Sequence, residues 1–201
     1  MLRVLVADDE RMIRESFAAV LGLEDDIKVV AQAETGLEAI KQAKKLRPRV
    51  VVTDLKMPKQ DGIEVARALN GLAKPIPTLI VTAHALPGVL QDAVLAGARG
   101  LLSKSSSASA LIDAIRAVAK GETIIDPALA IESVLIGTNP LTDRERELLR
   151  LARDGATIEA ISRQSGSSFA TTRNHLYSAG RKLNAKNRHE AVSIALSNGW
   201  I

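Results

Sequence analysis

The sequence predicts two domains, an α/β domain with a doubly wound five-stranded parallel sheet and an all-α four-helix domain. Over residues 1–120, short apolar runs alternate five times with amphipathic helical patterns, which is typical of a parallel sheet covered by helices. From Leu141 onward, only helical periodicities follow. We therefore predict a first domain over residues 1–120, a linker over 121–138 and a helical domain over 139–201.

The five predicted strands are short and mostly lack strict alternation of polar and apolar residues. This pattern favours parallel strands that are buried on both faces. In such sheets the functional site lies beyond the carboxyl ends of the strands, where the strand order reverses. The predicted strands are Leu2–Ala7, Lys28–Ala33, Val50–Thr53, Ile76–Thr82 and Gly100–Ser103.

Amphipathic patterns predict five helices in the first domain and four in the second. In the second domain, Thr142 followed three residues later by Glu145 indicates a capping box at a helix start. The first five predicted helices are Arg11–Leu21, Gly36–Leu46, Ile63–Leu69, Gly88–Ala96 and Ala108–Ala119. The last four are Asp143–Arg153, Ile158–Gln164, Ala170–Leu183 and Arg188–Ser197.

The composition excludes several classes of protein. The chain has no cysteine, which excludes disulfides and thiolate metal sites. No apolar run approaches the roughly 18 residues of a membrane span, and Met1 leads directly into a strand pattern. We therefore expect a cytoplasmic chain with no signal peptide and no membrane partner. Residues 139–201 hold ten bases and six acids, a balance that permits an acidic partner such as nucleic acid.

Ionisable or hydroxyl side chains stand at the ends of four predicted strands. Asp8 and Asp9 follow the first strand, Asp54 follows the third, Thr82 ends the fourth and Lys104 follows the fifth. Hard carboxylate oxygens suit Mg²⁺, and a lysine and a hydroxyl at the same edge can hold a phosphoryl group. A single aspartate at a strand end is usually a helix cap, but five matching positions together predict a phosphoryl site.

Residues 1–120 resemble the receiver domain of bacterial two-component response regulators, which has a flavodoxin-like fold. The resemblance rests on the acid pair Asp8-Asp9, on "TDLKMPKQDG" with Asp54, on Thr82 in "VTAH" and on Lys104.

The resemblance implies that a sensor histidine kinase donates a phosphoryl group to Asp54. It also implies that Lys104 pairs with the acyl phosphate and that Thr82 moves to hydrogen-bond a phosphate oxygen. The implied cofactor is Mg²⁺, held by Asp8, Asp9, Asp54 and the backbone carbonyl of Lys56.

One departure from the family pattern leaves an alternative open. Leu101 stands where the family usually has Tyr or Phe, so the usual coupling of an aromatic side chain to Thr82 is absent. The alternative is a phosphorylation-independent regulator with a degenerate switch. An enzyme such as a haloacid-type phosphatase would need an Asp-x-Asp motif, whereas Asp8 and Asp9 are adjacent, and we predict that the chain is not an enzyme.

The segments Pro140–Gly155 and Thr157–Ala191 resemble the LuxR-type helix-turn-helix domain of NarL/FixJ-class response regulators. The "PLTDRE" start and the Gly199-Trp200 ending are also similar to membrane-lipid desaturase regulators. In this geometry the second helix of the motif enters the major groove of duplex DNA. A further expected partner is RNA polymerase.

Two groups of residues in this domain are candidate DNA contacts. We expect contacts to base edges from Arg173, Asn174 and Tyr177, since arginine pairs with guanine and asparagine with adenine. The expected phosphate contacts, which position the domain without reading sequence, are Ser168, Thr171, Lys182, Lys186 and Arg188.

The apolar stripes of the first and fifth helices predict a homodimer on phosphorylation. In this interpretation the stripes contain more apolar surface than is needed to cover the sheet, and Ile115 is an exposed member that is available to a second copy of the chain. The alternative is that the stripes only cover the sheet. The residues of the two stripes are Met12, Phe17 and Val20, and Leu111, Ile115 and Val118.

Overall fold

The computed structural model of the chain describes residues 1–83, 87–127, 129–131 and 137–201. The chain forms two compact units, one built around the sheet and the other around the C-terminal helices. Among the helices in these ranges, none combines the length and apolar character that a membrane span requires.

The first unit contains a fully parallel sheet with the strand order β2-β1-β3-β4-β5-β6. The α/β class with a doubly wound parallel sheet is confirmed. The chain moves outward from β1 to β2 and then returns to β3 on the other side of β1, so the strand order reverses between β1 and β3. The strands are β1 (Leu2–Ala7), β2 (Ile27–Ala33), β3 (Val50–Asp54), β4 (Thr78–Thr82), β5 (Gly100–Ser103) and β6 (Ile124–Ile125).

Over the residues that the structure describes, the sheet has six strands, so the prediction of five was wrong. Strand β6 comes from the predicted linker, and Leu101 of β5 pairs in parallel with Ile125. The amide of Ile124 donates to the carbonyl of Arg99 at 2.9 Å, and the amide of Asp126 donates to the carbonyl of Leu101 at 3.0 Å. Two consecutive isoleucines are too short a pattern to predict a strand. Ile124 and Ile125 form one because they can pair with the edge of β5.

Helices cover both faces of the sheet because its strands are apolar on both sides. In β1, Val4 and Val6 face one core, while Leu5 and Ala7 face the other. Helices α1 and α5 pack on the first face, and α2 and α3 pack on the second. The helices are α1 (Arg11–Leu21), α2 (Gly36–Leu46), α3 (Gly62–Asn70), α4 (Pro87–Leu95) and α5 (Ala108–Ala119).

The stripe on α5 covers the sheet. Leu111, Ile115 and Val118 are all buried in the core with β1, β3 and β4, so the prediction that Ile115 is exposed was wrong. On α1, Phe17 and Val20 also pack against this core, whereas Met12 is 77% exposed. A helical period shows which face is apolar, but the width of the packed face depends on the neighbouring elements.

The second unit is all-helical, as predicted. Its four described helices enclose one apolar core that includes Leu149, Ile161 and Leu176, together with Trp200, the only tryptophan of the chain. The capping box predicted at Thr142 and Glu145 is confirmed at the start of the first of these helices. The helices are α6 (Asp143–Ala152), α7 (Ile158–Gln164), α8 (Phe169–Lys182) and α9 (Arg188–Ser197).

Candidate functional site

Three carboxylates meet at the point where the strand order reverses. Asp8 and Asp9 follow β1, and Asp54 is the last residue of the adjacent β3. One oxygen from each carboxylate lies within 4.8 Å of the others. Asp8 and Asp54 are buried, whereas Asp9 is exposed. The parallel register of two neighbouring strands therefore creates the acid cluster that the sequence predicted at this edge.

Lys104, which follows β5, reaches into this acid cluster. Its Nζ lies 2.8 Å from Asp8 Oδ2, 3.4 Å from Asp54 Oδ1 and 3.4 Å from Glu10 Oε1. Burial raises the pKa of Asp54 and the charge of Asp8 adds to this effect, while Lys104 opposes it. Burial lowers the pKa of Lys104, but its bond to Asp8 and the charges of Asp54 and Asp8 outweigh that effect and raise it. The lysine is therefore held as a cation against the carboxylate of Asp54.

The loop after β3 is folded tightly against Asp54. The amide of Gly62 donates to the carbonyl of Leu55 at 2.8 Å. A Cβ atom at position 62 would lie 2.3 Å from the carbonyl oxygen of Asp54, so only glycine fits. Asp61 caps α3 and forms a capping box with Glu64. The "DG" of the predicted motif thus fixes the return of the chain beside Asp54.

Thr82 ends β4 and is buried close to the same edge. Its carbonyl accepts a hydrogen bond from the amide of Lys104 at 2.8 Å. Leu101, which stands in place of the aromatic residue, is almost fully buried and pairs with Ile80 in the ladder between β4 and β5. Leu101 and the expected switch hydroxyl of Thr82 therefore lie in the adjacent strands β5 and β4, next to Lys104.

The chemistry of the acid cluster fits a hard divalent cation. Carboxylate oxygens are the ligands that Mg²⁺ prefers, and this ion usually keeps several waters. Exposure of Asp9 leaves the cluster open to water on one side. Lys56, whose carbonyl was implied by the resemblance, is exposed in the loop that follows β3.

Sequence reasoning missed one charged residue beside the acids, Arg14. Arg14 of α1 is buried and contacts both the backbone of Asp8 and the carboxylate of Glu34. A signal was present, because Arg14 precedes Leu21 by seven residues and therefore lies on the buried face of the helix. A charged residue on that face requires buried polar partners.

In the second unit, α7 and α8 form a helix-turn-helix. Arg144 of α6 holds the turn, because its guanidinium donates to the carbonyl of Ser165 at 2.8 Å and to the hydroxyl of Ser167. Ser168 caps α8, where its hydroxyl accepts a hydrogen bond from the amide of Thr171 at 3.1 Å. The turn predicted between these two helices is therefore anchored to the helix that precedes them.

Most of the predicted DNA contacts are accessible on α8 and at the start of α9. Arg173 and Asn174 are exposed, and Tyr177 is 69% exposed. Ser168, Thr171 and Lys186 are exposed as well. One groove of about 260 Å³ brings together four of the predicted contacts, and its lining includes Arg173, Tyr177, Lys186 and Arg188.

Among the predicted DNA contacts, Lys182 forms an ion pair with a buried carboxylate inside the unit. Its Nζ lies 2.7 Å from Oε2 of Glu145, which is almost completely buried. The other oxygen of Glu145 accepts a hydrogen bond from the hydroxyl of Ser178 at 2.7 Å, and Oε2 also accepts from the amide of Thr142 at 2.8 Å. Burial opposes ionisation, but Lys182, Ser178 and Thr142 together lower the pKa of Glu145 to about 2. This network ties α8 to α6.

Two family models match the chain. The response regulator receiver domain matches residues 4–116, and the luxR family of bacterial regulatory proteins matches residues 139–195. One match falls in each of the two units described above.

Several relatives match over nearly the whole length of both chains. The transcriptional regulatory protein YvfU of Bacillus subtilis is 41% identical over 201 residues, covering all of both chains. DesR of the same organism is 37% identical over 200 residues, covering all of this chain and 99% of that one. The crystal structure of ChrA, the response regulator of a heme-sensing two-component system, is 33% identical with a TM-score of 0.59 and covers 100% of this chain and 98% of that one. The chain therefore belongs to the two-component response regulators that join a receiver domain to a LuxR-type DNA-binding domain.

Proposed function

We propose that the chain is a transcriptional regulator whose DNA binding is controlled by phosphorylation of Asp54. The observation that carries this proposal is the cluster of Asp8, Asp9, Asp54 and Lys104 at the point where the strand order reverses. It combines a nucleophile, hard oxygen ligands and a cation at one sheet edge, in a chain that also contains a helix-turn-helix.

In the proposed reaction, a carboxylate oxygen of Asp54 attacks the phosphorus of a phosphohistidine on a sensor kinase. The bond between phosphorus and the histidine nitrogen breaks, and the nitrogen keeps the electron pair. The product is an acyl phosphate on Asp54. Lys104, already 3.4 Å from Asp54 Oδ1, pairs with the new phosphate, and the hydroxyl of Thr82 donates a hydrogen bond to one of its oxygens.

We propose that Asp8, Asp9, Asp54 and the backbone carbonyl of Lys56 hold Mg²⁺. When bound, the ion neutralises negative charge that develops on the transferred phosphoryl group. Lys104 offsets part of the negative charge of the cluster before the phosphate arrives.

The proposed outcome of phosphorylation is a homodimer that binds duplex DNA. Dimerisation would place two helix-turn-helix units at neighbouring half-sites, which raises the effective concentration of the second unit. RNA polymerase is the proposed partner of the DNA-bound dimer. The proposed kinase contact and the DNA target both belong to the cytoplasm.

The full chain tests this proposal when it is incubated with acetyl phosphate and Mg²⁺. We expect an increase in the dimer fraction by sedimentation velocity and roughly tenfold or more tighter binding to duplexes selected from a genomic pool. DNA affinity that stays unchanged on a phosphorylated chain would support the phosphorylation-independent regulator, the alternative that Leu101 favours. Repeated turnover of donor with no effect on DNA would indicate an enzyme.

Loss of the base contact Arg173 in α8 and loss of the phosphate contact Lys186, just before α9, should affect DNA binding differently. We expect Arg173→Ala to weaken binding to the selected operator more than to random duplex, by about 1–3 kcal/mol for a bidentate base contact. Lys186→Ala should weaken both duplexes alike and reduce the salt slope by about one unit. Lys186 is the better comparison because Lys182 is paired with Glu145. Equal losses on both duplexes for Arg173→Ala would make it a phosphate contact.

A further inference from the structure

Arg14 carries a buried positive charge next to the acid cluster. Its side chain is only 7% exposed, which is rare for arginine without partners. Nη1 donates to the carbonyl oxygen of Asp8 at 2.6 Å, and Nη2 donates to Oε1 of Glu34 at 2.8 Å. The contact to Asp8 is the more informative one, because that carbonyl belongs to the peptide that joins Asp8 to Asp9.

The other polar groups of Asp8 are held by different partners. Its amide donates to the carbonyl of Ala33 at 3.1 Å, and its Oδ1 accepts from the amide of Glu10 at 2.9 Å. Lys104 contacts Oδ2 at 2.8 Å. The contact from Arg14 therefore fixes the plane of the next peptide. Since the peptide is planar, its orientation sets the direction in which the Asp9 side chain leaves the backbone.

We propose that Arg14 is a positioning residue for the acid cluster. By clamping the peptide between Asp8 and Asp9, it holds the exposed Asp9 carboxylate where it can bind Mg²⁺ together with Asp54. This inference rests on the function proposed above and adds a residue from α1 to it.

The proposed role depends on the shape of the side chain more than on its charge. The planar guanidinium donates in two directions at once, to the backbone after β1 and to Glu34 after β2. A lysine would keep the charge, but its single ammonium cannot reproduce this fork. If Arg14 positions the peptide, Arg14→Lys should bind Mg²⁺ as weakly as Arg14→Met. If only its positive charge matters, Arg14→Lys should bind Mg²⁺ like the wild type.

The test compares Arg14→Met and Arg14→Lys with Arg11→Met in the full chain. Arg11 is a matched control because it lies in the same helix and is 80% exposed, paired only with Glu15 across one turn in the described structure. Mg²⁺ affinity is measured by titration calorimetry and folding by thermal unfolding. We expect both Arg14 variants to bind Mg²⁺ roughly tenfold more weakly, as for other residues that orient metal ligands, and Arg11→Met to bind like the wild type. Saturating Mg²⁺ should restore the maximal phosphorylation rate.

Wild-type Mg²⁺ affinity in Arg14→Met would overturn the proposal, and full rescue by Arg14→Lys would replace positioning with a charge effect. If Arg14→Met does not fold, Arg14→Lys and Glu34→Gln carry the same test. A second measurement needs neither metal nor donor: NMR hydrogen exchange of the Glu10 amide, bonded to Asp8, should accelerate in the Arg14 variants. A wild-type chain that is never phosphorylated would overturn the proposed function. The hydrogen-exchange measurement would still test the role of Arg14 in that case.

Discussion

Replacement of Asp54 by asparagine is expected to abolish modification of the chain by acetyl phosphate and Mg²⁺. The asparagine side chain has nearly the same shape, but its neutral amide lacks the carboxylate oxygen that must attack phosphorus. Lys104 contacts Asp8 and Glu10 as well as Asp54. Among these three acids only Asp54 stands at the end of β3, with the loop that returns at Gly62 folded against it. Intact-mass and peptide mass spectrometry measure the added phosphate and its position.

Asp61→Asn is the matched control for this substitution. Asp61 lies in the loop that follows Asp54 and caps α3 through its side chain, a role that asparagine can also fill. We therefore expect Asp61→Asn to be phosphorylated on Asp54. Phosphate found on another residue in the wild type, or efficient modification after Mg²⁺ is removed with a chelator, would contradict the proposed site.

The second large effect is expected at Glu145 in the DNA-binding unit. Glu145→Gln should lower the free energy of unfolding of this unit by about 2–3 kcal/mol, because it leaves Lys182 without its buried counter-ion and weakens the bonds to Ser178 and Thr142. Urea unfolding followed by the fluorescence of Trp200 reports on this unit, since Trp200 is the only tryptophan and lies in its core.

The matched control is Glu147→Gln in the same helix. Glu147 is 48% exposed and pairs with Arg144 at the surface, so its loss should cost at most about 0.5–1 kcal/mol. If the two variants lose the same stability, the network around Glu145 contributes little.

The same network makes the stability of this unit dependent on pH. The pKa of Glu145 is lowered from an ordinary value of 4.5 to about 2, so the stabilisation is fully present above pH 4.5 and is lost as pH falls toward 2. A shift of this size corresponds to about 3 kcal/mol. Below pH 4.5 we expect the urea midpoint of the wild type to fall more steeply than that of Glu145→Gln.

Sequence alone was sufficient wherever a feature depends on short segments of the chain. The strand ends that carry Asp8, Asp54 and Thr82 follow from apolar runs a few residues long, and parallel strands necessarily bring their carboxyl ends to one edge. The capping box at Thr142 and Glu145 is likewise a local arrangement that needs only residues three positions apart.

Tertiary structure decided the features that depend on residues far apart in the chain. Ile124 and Ile125 form a strand only because the edge of β5 is available beside them. Ile115 is buried because the sheet packs against the whole apolar stripe of α5 and leaves none of it over for a partner. From its position in the sequence, Lys182 is expected to contact phosphate. The structure pairs it instead with Glu145, which lies 37 residues earlier in the chain. Periodicity determines which side of a helix turns inward, but the partner that each inward residue meets is set only when the whole chain packs.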